Sequence, residues 1–152
     1  ETLGIYARTW MDRYNATQQK LYLLKSRDLY RQAFEAAPRV YYTGINAASK
    51  SLLLGEKETA AQLAKRVEAL VGTNAAPNDY WRTATVAEVQ LLQGNIASAA
   101  ARYLDAVLIA PEDHGSHQSS CAQAKLLLAA LQVSGSDSSA VLAAFDHPGC
   151  SG

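Results

Sequence analysis

Neither sign of charge prevails in this sequence, which has 14 Lys plus Arg and 14 Asp plus Glu. A nucleic-acid-binding domain ordinarily carries a basic excess or stripe to meet phosphates, so no nucleic-acid partner is expected. Cysteine is almost missing, with only Cys121 and Cys150 late in the chain. Two are too few for the disulfide framework of a small secreted scaffold. One bridge between them stays open, but a reducing, cytoplasmic setting is the expectation. No apolar run approaches the roughly 18 residues of a membrane span, and no charged-then-apolar leader opens the chain. A soluble protein without a membrane partner follows as an expectation. The chain begins at Glu1, already inside a helical pattern, and so reads as a piece of a longer protein. Glycine and proline are also sparse, at nine and four.

What is present points to helices. The hydrophobic share is 49%, much of it alanine, which has the best helix propensity and lets backbones approach closely. A chain of 152 residues is about one domain and buries a real core without a disulfide or metal.

The helices repeat. In GEKETAAQLAKRV, Gly55 is followed by Ala60, Ala64 and Val67; in GNIASAAARYLDAVLIAP, Gly94 is followed at the same steps by Ala99, Tyr103 and Ala106, then Pro111. In SRDLYRQAFEAAP, Ser26, Tyr30, Ala33 and Pro38 reproduce the later steps. Self-similarity at a period of roughly 34 to 40 residues signals stacked supersecondary units. Each unit reads as two antiparallel helices. The glycine ends the first helix, because a left-handed residue costs least there. Glu56 or Asn95 then starts the second. Ala60 and Ala99 sit where helices cross, Tyr30, Ala64 and Tyr103 fill the next layer, and Pro38 and Pro111 stop the second helix. From Gly4 to Ser26 the spacing is ten residues longer than the plain repeat, so NATQQKLYLL lengthens the second helix or forms a loop, with Leu21, Tyr22, Leu23 and Leu24 packing. Helices are expected at 2–14, 18–36, 40–54, 57–71, 79–93, 96–109, 116–133 and 138–146. Pro77-Asn78-Asp79 caps the fifth, and Asp137, in the Ser- and Gly-rich SGSDSS, caps the last.

This ladder resembles the tetratricopeptide repeat. More closely, ETLG with the small Ala7, the AFEAAP junction, GINAA and the pair Tyr80–Trp81 resemble the TRAF-binding domain found in mitogen-activated protein kinase kinase kinases and in many bacterial multidomain proteins. The likeness runs from Glu1 to about Pro111. It implies an all-α, right-handed solenoid of antiparallel helix pairs, about eight helices in all: three repeats and a capping pair, over one domain at 1–146 with a flexible tail at 147–152. The closing helix suits a solenoid's need for a cap with a polar outer face.

Chemistry is hard to find. No phosphate-cradling loop, nucleophile elbow or zinc-protease signature occurs, so neither an enzymatic activity nor a cofactor is expected. Glu56, Glu58, Glu68 and Asp105 are scattered among Lys and Arg at helical spacing, the pattern of a solvated face. PEDHGSHQSSC is the exception, because His114, His117 and Cys121 are spaced three and four apart and present three zinc-ligand types on one helix face; His147 and Cys150 add a second pair. The competing reading makes the histidines polar residues at a helix start, Cys121 a small core residue and the tail pair disordered, and Gly115 argues against a helix through both histidines. No metal is expected on balance. Asp113, His114 and Ser116 match a hydrolytic triad in composition only, since near neighbours on one turn cannot take the base, orienter and nucleophile positions.

What remains is a binding surface. In helix-pair solenoids the first helix of each pair lines a concave face, making Tyr42, Asn46, Ser49 and Lys50, with Trp81, Thr85, Glu88 and Gln90, the candidate wall. Tyr42 and Trp81 are its natural anchors if exposed, and inter-repeat packing if not. Some repeats of this kind clamp a terminal carboxylate with Lys, Asn and Arg. Asn46 fits one such position, but Ile5, Trp81 and Thr85 do not, which disfavours that use. The expected role is a non-enzymatic protein–protein interaction module, a regulatory or scaffolding part of a larger signalling protein, with a protein or peptide partner. The alternatives are self-association as a homo-oligomer, packing on a neighbouring domain, and the zinc site.

Overall fold

Glycine and proline punctuate the helices where the pattern requires it. Gly55 (φ +86°) and Gly94 (φ +81°) are both left-handed. After each, the chain doubles back through paired backbone bonds: Glu56 N–H to Ser51 C=O and Gly55 N–H to Leu52 C=O, then Asn95 N–H to Gln90 C=O and Gly94 N–H to Leu91 C=O. This is the Schellman arrangement, which satisfies carbonyls that the helix end leaves open. Before Pro38 and Pro111, the caps Ala37 and Ala110 leave helical geometry (φ −140° and −136°), because the proline ring disfavours the α conformation in the residue ahead of it.

The computed structural model describes residues 2–145 and 150. Among the described residues there are eight helices and no strand: α1 (Thr2–Thr17), α2 (Lys20–Ala36), α3 (Tyr41–Leu53), α4 (Lys57–Val71), α5 (Tyr80–Leu92), α6 (Ile96–Ile109), α7 (His114–Leu131) and α8 (Gly135–Leu142). None is long and apolar enough to cross a membrane. The chain divides into two compact units, Glu1–Leu70 and Val71–Gly152. The expected flexible tail at 147–152 lies outside the described residues except for Cys150.

In the first unit, Ala7 of α1 meets Ser26 of α2 through a 2.7 Å bond from the serine hydroxyl to the alanine carbonyl, while Trp10 stacks on Tyr22. Partner numbers fall as α1 advances, so the two helices are antiparallel. The same logic pairs α2 with α3, through Arg27 with Ser51 and Phe34 with Gly44. Helices α2 and α4 run parallel, through Arg27 with Glu56 and Glu35 with Arg66. The extra residues of the first pair extend both helices, with only Gln18 and Gln19 between them. Tyr22 and Leu23 pack as expected, but Leu21 and Leu24 are exposed. Gly44 is the tightest point: a Cβ there would lie 2.7 Å from the Phe34 ring and 2.8 Å from a Val67 methyl, so α3 seats against α2 and α4 only with glycine.

Arg27 is buried among α2, α3 and α4, bonded to Glu56 (2.6 Å), Asp28 (2.8 Å) and Ser51 (3.2 Å). Burial alone would lower its pKa, but its bonds to Glu56 and Asp28 outweigh this and raise it. The hydrogen bond from Arg27 holds the Glu56 carboxyl below its ordinary 4.5. A carboxylate whose folded pKa is depressed contributes stability above its unfolded pKa and loses it as pH falls through the folded value. Unfolding of the first unit by urea is therefore expected to become easier as pH drops below about 4.5, and Glu56→Gln to flatten that decline while lowering stability at pH 7. An acid limb unchanged in Glu56→Gln would remove this pair from the account.

In the second unit, α5 and α6 form the next antiparallel pair, with Tyr80 and Ala84 packed on Ala106. The ladder positions sit where the repeat requires: Ser26, Ala60 and Ala99 are at 0%, 2% and 0% exposure, and Tyr30, Ala64 and Tyr103 are equally buried. Two details differ from expectation. Helix α7 begins at His114 and runs through Gly115, because Asp113 caps it, accepting bonds from the Ser116 amide (3.2 Å) and hydroxyl (2.6 Å); a good cap offsets the modest cost of glycine in the first turn. Helix α8 is capped by Ser134, which accepts from the Asp137 amide at 3.1 Å. Asp137 therefore stands inside the first turn, where its charge favours the positive end of the helix.

Candidate functional site

The second residue of α3 and the second residue of α5 carry the exposed aromatic rings of the expected wall. Tyr42 is 49% exposed and Trp81 51%.

In the first unit, Tyr42 meets Tyr30 edge to face, with ring centres 6.0 Å apart and hydroxyls 3.4 Å apart. Burial pushes the Tyr30 hydroxyl well above the usual tyrosine pKa, so it stays protonated. Behind Tyr42, the Asn46 amide donates to the Tyr42 carbonyl (2.9 Å), and the Lys50 ammonium donates to Asn46 Oδ1 (2.9 Å) while lying 5.6 Å from the centre of the Tyr30 ring. Tyr42 is thus an outward ring on a fixed base. Gly4 of α1 lies beside it, with Tyr42 Cε2 3.9 Å from where a Cβ would stand.

In the second unit, Trp81 packs edge to face on Tyr80 (5.1 Å). Tyr80 is buried, and its hydroxyl bonds Ser120 Oγ (2.9 Å) and the Ser116 carbonyl (3.2 Å), fixing α5 to α7. Burial raises its pKa. His117 stacks on Tyr80 with ring centres 5.7 Å apart. Thr85 donates to the Trp81 carbonyl at 2.8 Å. The two sites share a plan, in which a buried tyrosine meets, edge to face, a half-exposed ring at a helix start.

The other expected wall residues divide. Asn46 and Glu88 are half-buried, but Ser49, Lys50, Thr85 and Gln90 are buried, so their side chains serve the interior. A helix in a layered fold buries more than one stripe, and simple spacing on the first helix of each pair overstates its open face. Tyr30, Tyr80 and Ser120 are the residues that spacing did not assign to the sites. Tyr30 was legible only as a ladder position.

The zinc reading fails on geometry. Helix α7 does place His114, His117 and Cys121 together, but Cys121 is bonded to Cys150 as a disulfide (Cα–Cα 5.9 Å), and the His117 Nε2–H donates to the Ala110 carbonyl at 2.8 Å. Among the described residues, no three His, Cys, Asp or Glu side chains are grouped to hold a metal. His147 lies outside the described residues. Asp113 and Ser116 are spent on the helix cap, which holds the Asp113 carboxyl below its ordinary value. The one bridge that the sequence left open, between Cys121 and Cys150, is formed.

The family model described as Tetratricopeptide Repeats-Sensor matches residues 1–54, the stretch carrying α1, α2 and α3. No curated protein matches the chain. The match, with the all-helical architecture, supports a tetratricopeptide-like helical domain, a type that generally mediates protein–protein contacts and is generally non-catalytic.

Proposed function

We propose that this chain is a non-enzymatic protein–protein interaction module that presents the aromatic anchors Tyr42, in the first unit, and Trp81, in the second, to polypeptide partners, as a regulatory or scaffolding part of a larger signalling protein. One observation carries the reading: both rings stand at the same step of their repeats, half-exposed, each propped by a buried tyrosine. Rigid aromatic anchors contribute much contact area at small entropic cost, which is why they dominate binding hot spots. The resemblance to the TRAF-binding domain of the kinase kinase kinases supports a signalling context. The cytoplasmic setting stands against the Cys121–Cys150 bond, since such bonds persist mainly in oxidising compartments; the mass of the alkylated, unreduced protein taken from cells decides it.

The test is partner binding measured in parallel for the wild type, Tyr42→Ala, Trp81→Ala and the double variant. Each single change is expected to weaken binding by roughly tenfold or more, with the helical circular dichroism unchanged. Equal binding by the double variant would sink the proposal.

A further inference from the structure

The outward stripe of α6 is built unlike its counterparts. Aligning the second helices of the three pairs on Ser26, Ala60 and Ala99 sets Ala97, Ala101, Leu104 and Leu108 of α6 beside Glu58, Gln62, Lys65 and Ala69 of α4, and Leu24, Asp28, Arg31 and Glu35 of α2. All twelve residues are exposed. In α2 and α4 the stripe is mostly charged or polar, as a solvated helix face should be. In α6 it is wholly apolar, with Leu104 at 46% and Leu108 at 66% exposure. The opposite side of α6 is already used, because Ala99, Tyr103 and Ala106 are buried. The fold therefore does not explain the stripe.

Its spacing does. Steps of four, three and four are those of a coiled-coil seam. The order small, small, large, large is complementary to itself when reversed. In an antiparallel pairing, Leu108 of one copy faces Ala97 of the other, and Leu104 faces Ala101, so each large side chain meets a small one. The charges agree with this. Arg102 and Asp105 are the only charged residues of α6 and are bonded to each other at 2.8 Å. The two-fold pairing sets Asp105 level with an uncharged stretch of the second copy, on the flank that carries that copy's Arg102. No like charges meet. A charged partner helix would find nothing to pair with along the stripe.

We propose that α6 is a self-association surface, through which two copies of this chain pair antiparallel about a two-fold axis between Ala101 and Leu104. The surface lies on the second helix of its pair, whereas the aromatic anchors lie on first helices. A seam of four residues is smaller than a standard interface of roughly 800 Å² per partner, so the dimer is weak and reversible, in the micromolar range or above.

The experiment is a sedimentation-equilibrium concentration series on three samples. The wild type is expected to rise from the monomer mass toward twice that value. A variant carrying the α4 stripe in α6 (Ala97→Glu, Ala101→Gln, Leu104→Lys, Leu108→Ala) is expected to stay monomeric with unchanged helical circular dichroism. Because all four positions are exposed, it should fold; if it does not, Leu108→Glu alone replaces it, with a dissociation constant raised at least tenfold. The third sample mixes Ala101→Cys with Leu104→Cys protein under mild oxidation, and a cross-link is expected in the mixture well above either variant alone. The proposal is overturned by a wild type that remains monomeric at millimolar concentration, including one that then captures an unrelated apolar amphipathic peptide on the stripe. It is equally overturned by dimerisation that survives the stripe exchange, or by Ala101→Cys protein that cross-links with itself as readily as in the mixture.

Discussion

Tyr103→Ala is expected to lower the stability of the second unit by about 3–5 kcal/mol, whereas Tyr103→Phe leaves it unchanged or raises it by up to about 1 kcal/mol. The contrast comes from the two halves of one side chain. The ring is among the largest fully buried groups in the protein, 1% exposed, and packs against Phe145 with centres 5.2 Å apart. Removing it leaves a cavity that the helices on either side cannot close. The hydroxyl is different. It is buried with no hydrogen-bond partner among the described residues, and burial drives its pKa well above the ordinary tyrosine value. An unsatisfied buried donor costs free energy that phenylalanine does not incur. Tyr30, at the same ladder position in the first unit, is the control: its hydroxyl lies 3.4 Å from that of Tyr42, so Tyr30→Phe should lose a little. Urea unfolding midpoints at constant slope measure all three. A loss greater than about 1 kcal/mol for Tyr103→Phe would mean that the hydroxyl is bonded after all, through a buried water.

Reducing the Cys121–Cys150 bond should cost the second unit about 3–4 kcal/mol, the chain-entropy value for a bridged loop of this length. The two cysteines are 29 residues apart, with Cys121 in α7 and Cys150 past α8. The loop they close includes α8 and Phe145, the residue against which Tyr103 packs. Both cysteines are almost fully buried, at 2% and 1% exposure, so the thiols gain nothing from water on release in the folded state. Cys150→Ser and chemical reduction should lower the unfolding midpoint by similar amounts, and reduction should have no further effect on Cys150→Ser. Equal stability of oxidised and reduced protein would show that the C-terminal segment is held by packing alone.

Much of the framework was legible from residue spacing, for a local reason. Gly55, Gly94, Pro38 and Pro111 act on their own backbone or that of the preceding residue, and Asp79 caps α5 by accepting from the Arg82 amide three residues on. Such effects are written into short stretches of chain. The small residues at the crossings were equally readable, since Ala60 and Ala99 recur at fixed steps from a glycine and only a small side chain lets two helices touch there. Ser134 was missed as the cap of α8 because four serines and an aspartate compete within six residues, and spacing does not choose among them.

The order of helices, their turns and their buried ladder were thus determined by the sequence itself, through propensity, capping and periodicity acting within about one helical pair. The tertiary structure alone decided which side chains remained available. It buried Ser49, Lys50 and Thr85, left Tyr42 and Trp81 half-open, joined Cys121 to Cys150 and left the Leu104–Leu108 stripe uncovered. Exposure and long-range pairing depend on what a third or fourth helix places opposite a residue, and a helix's own periodicity contains no record of that neighbour.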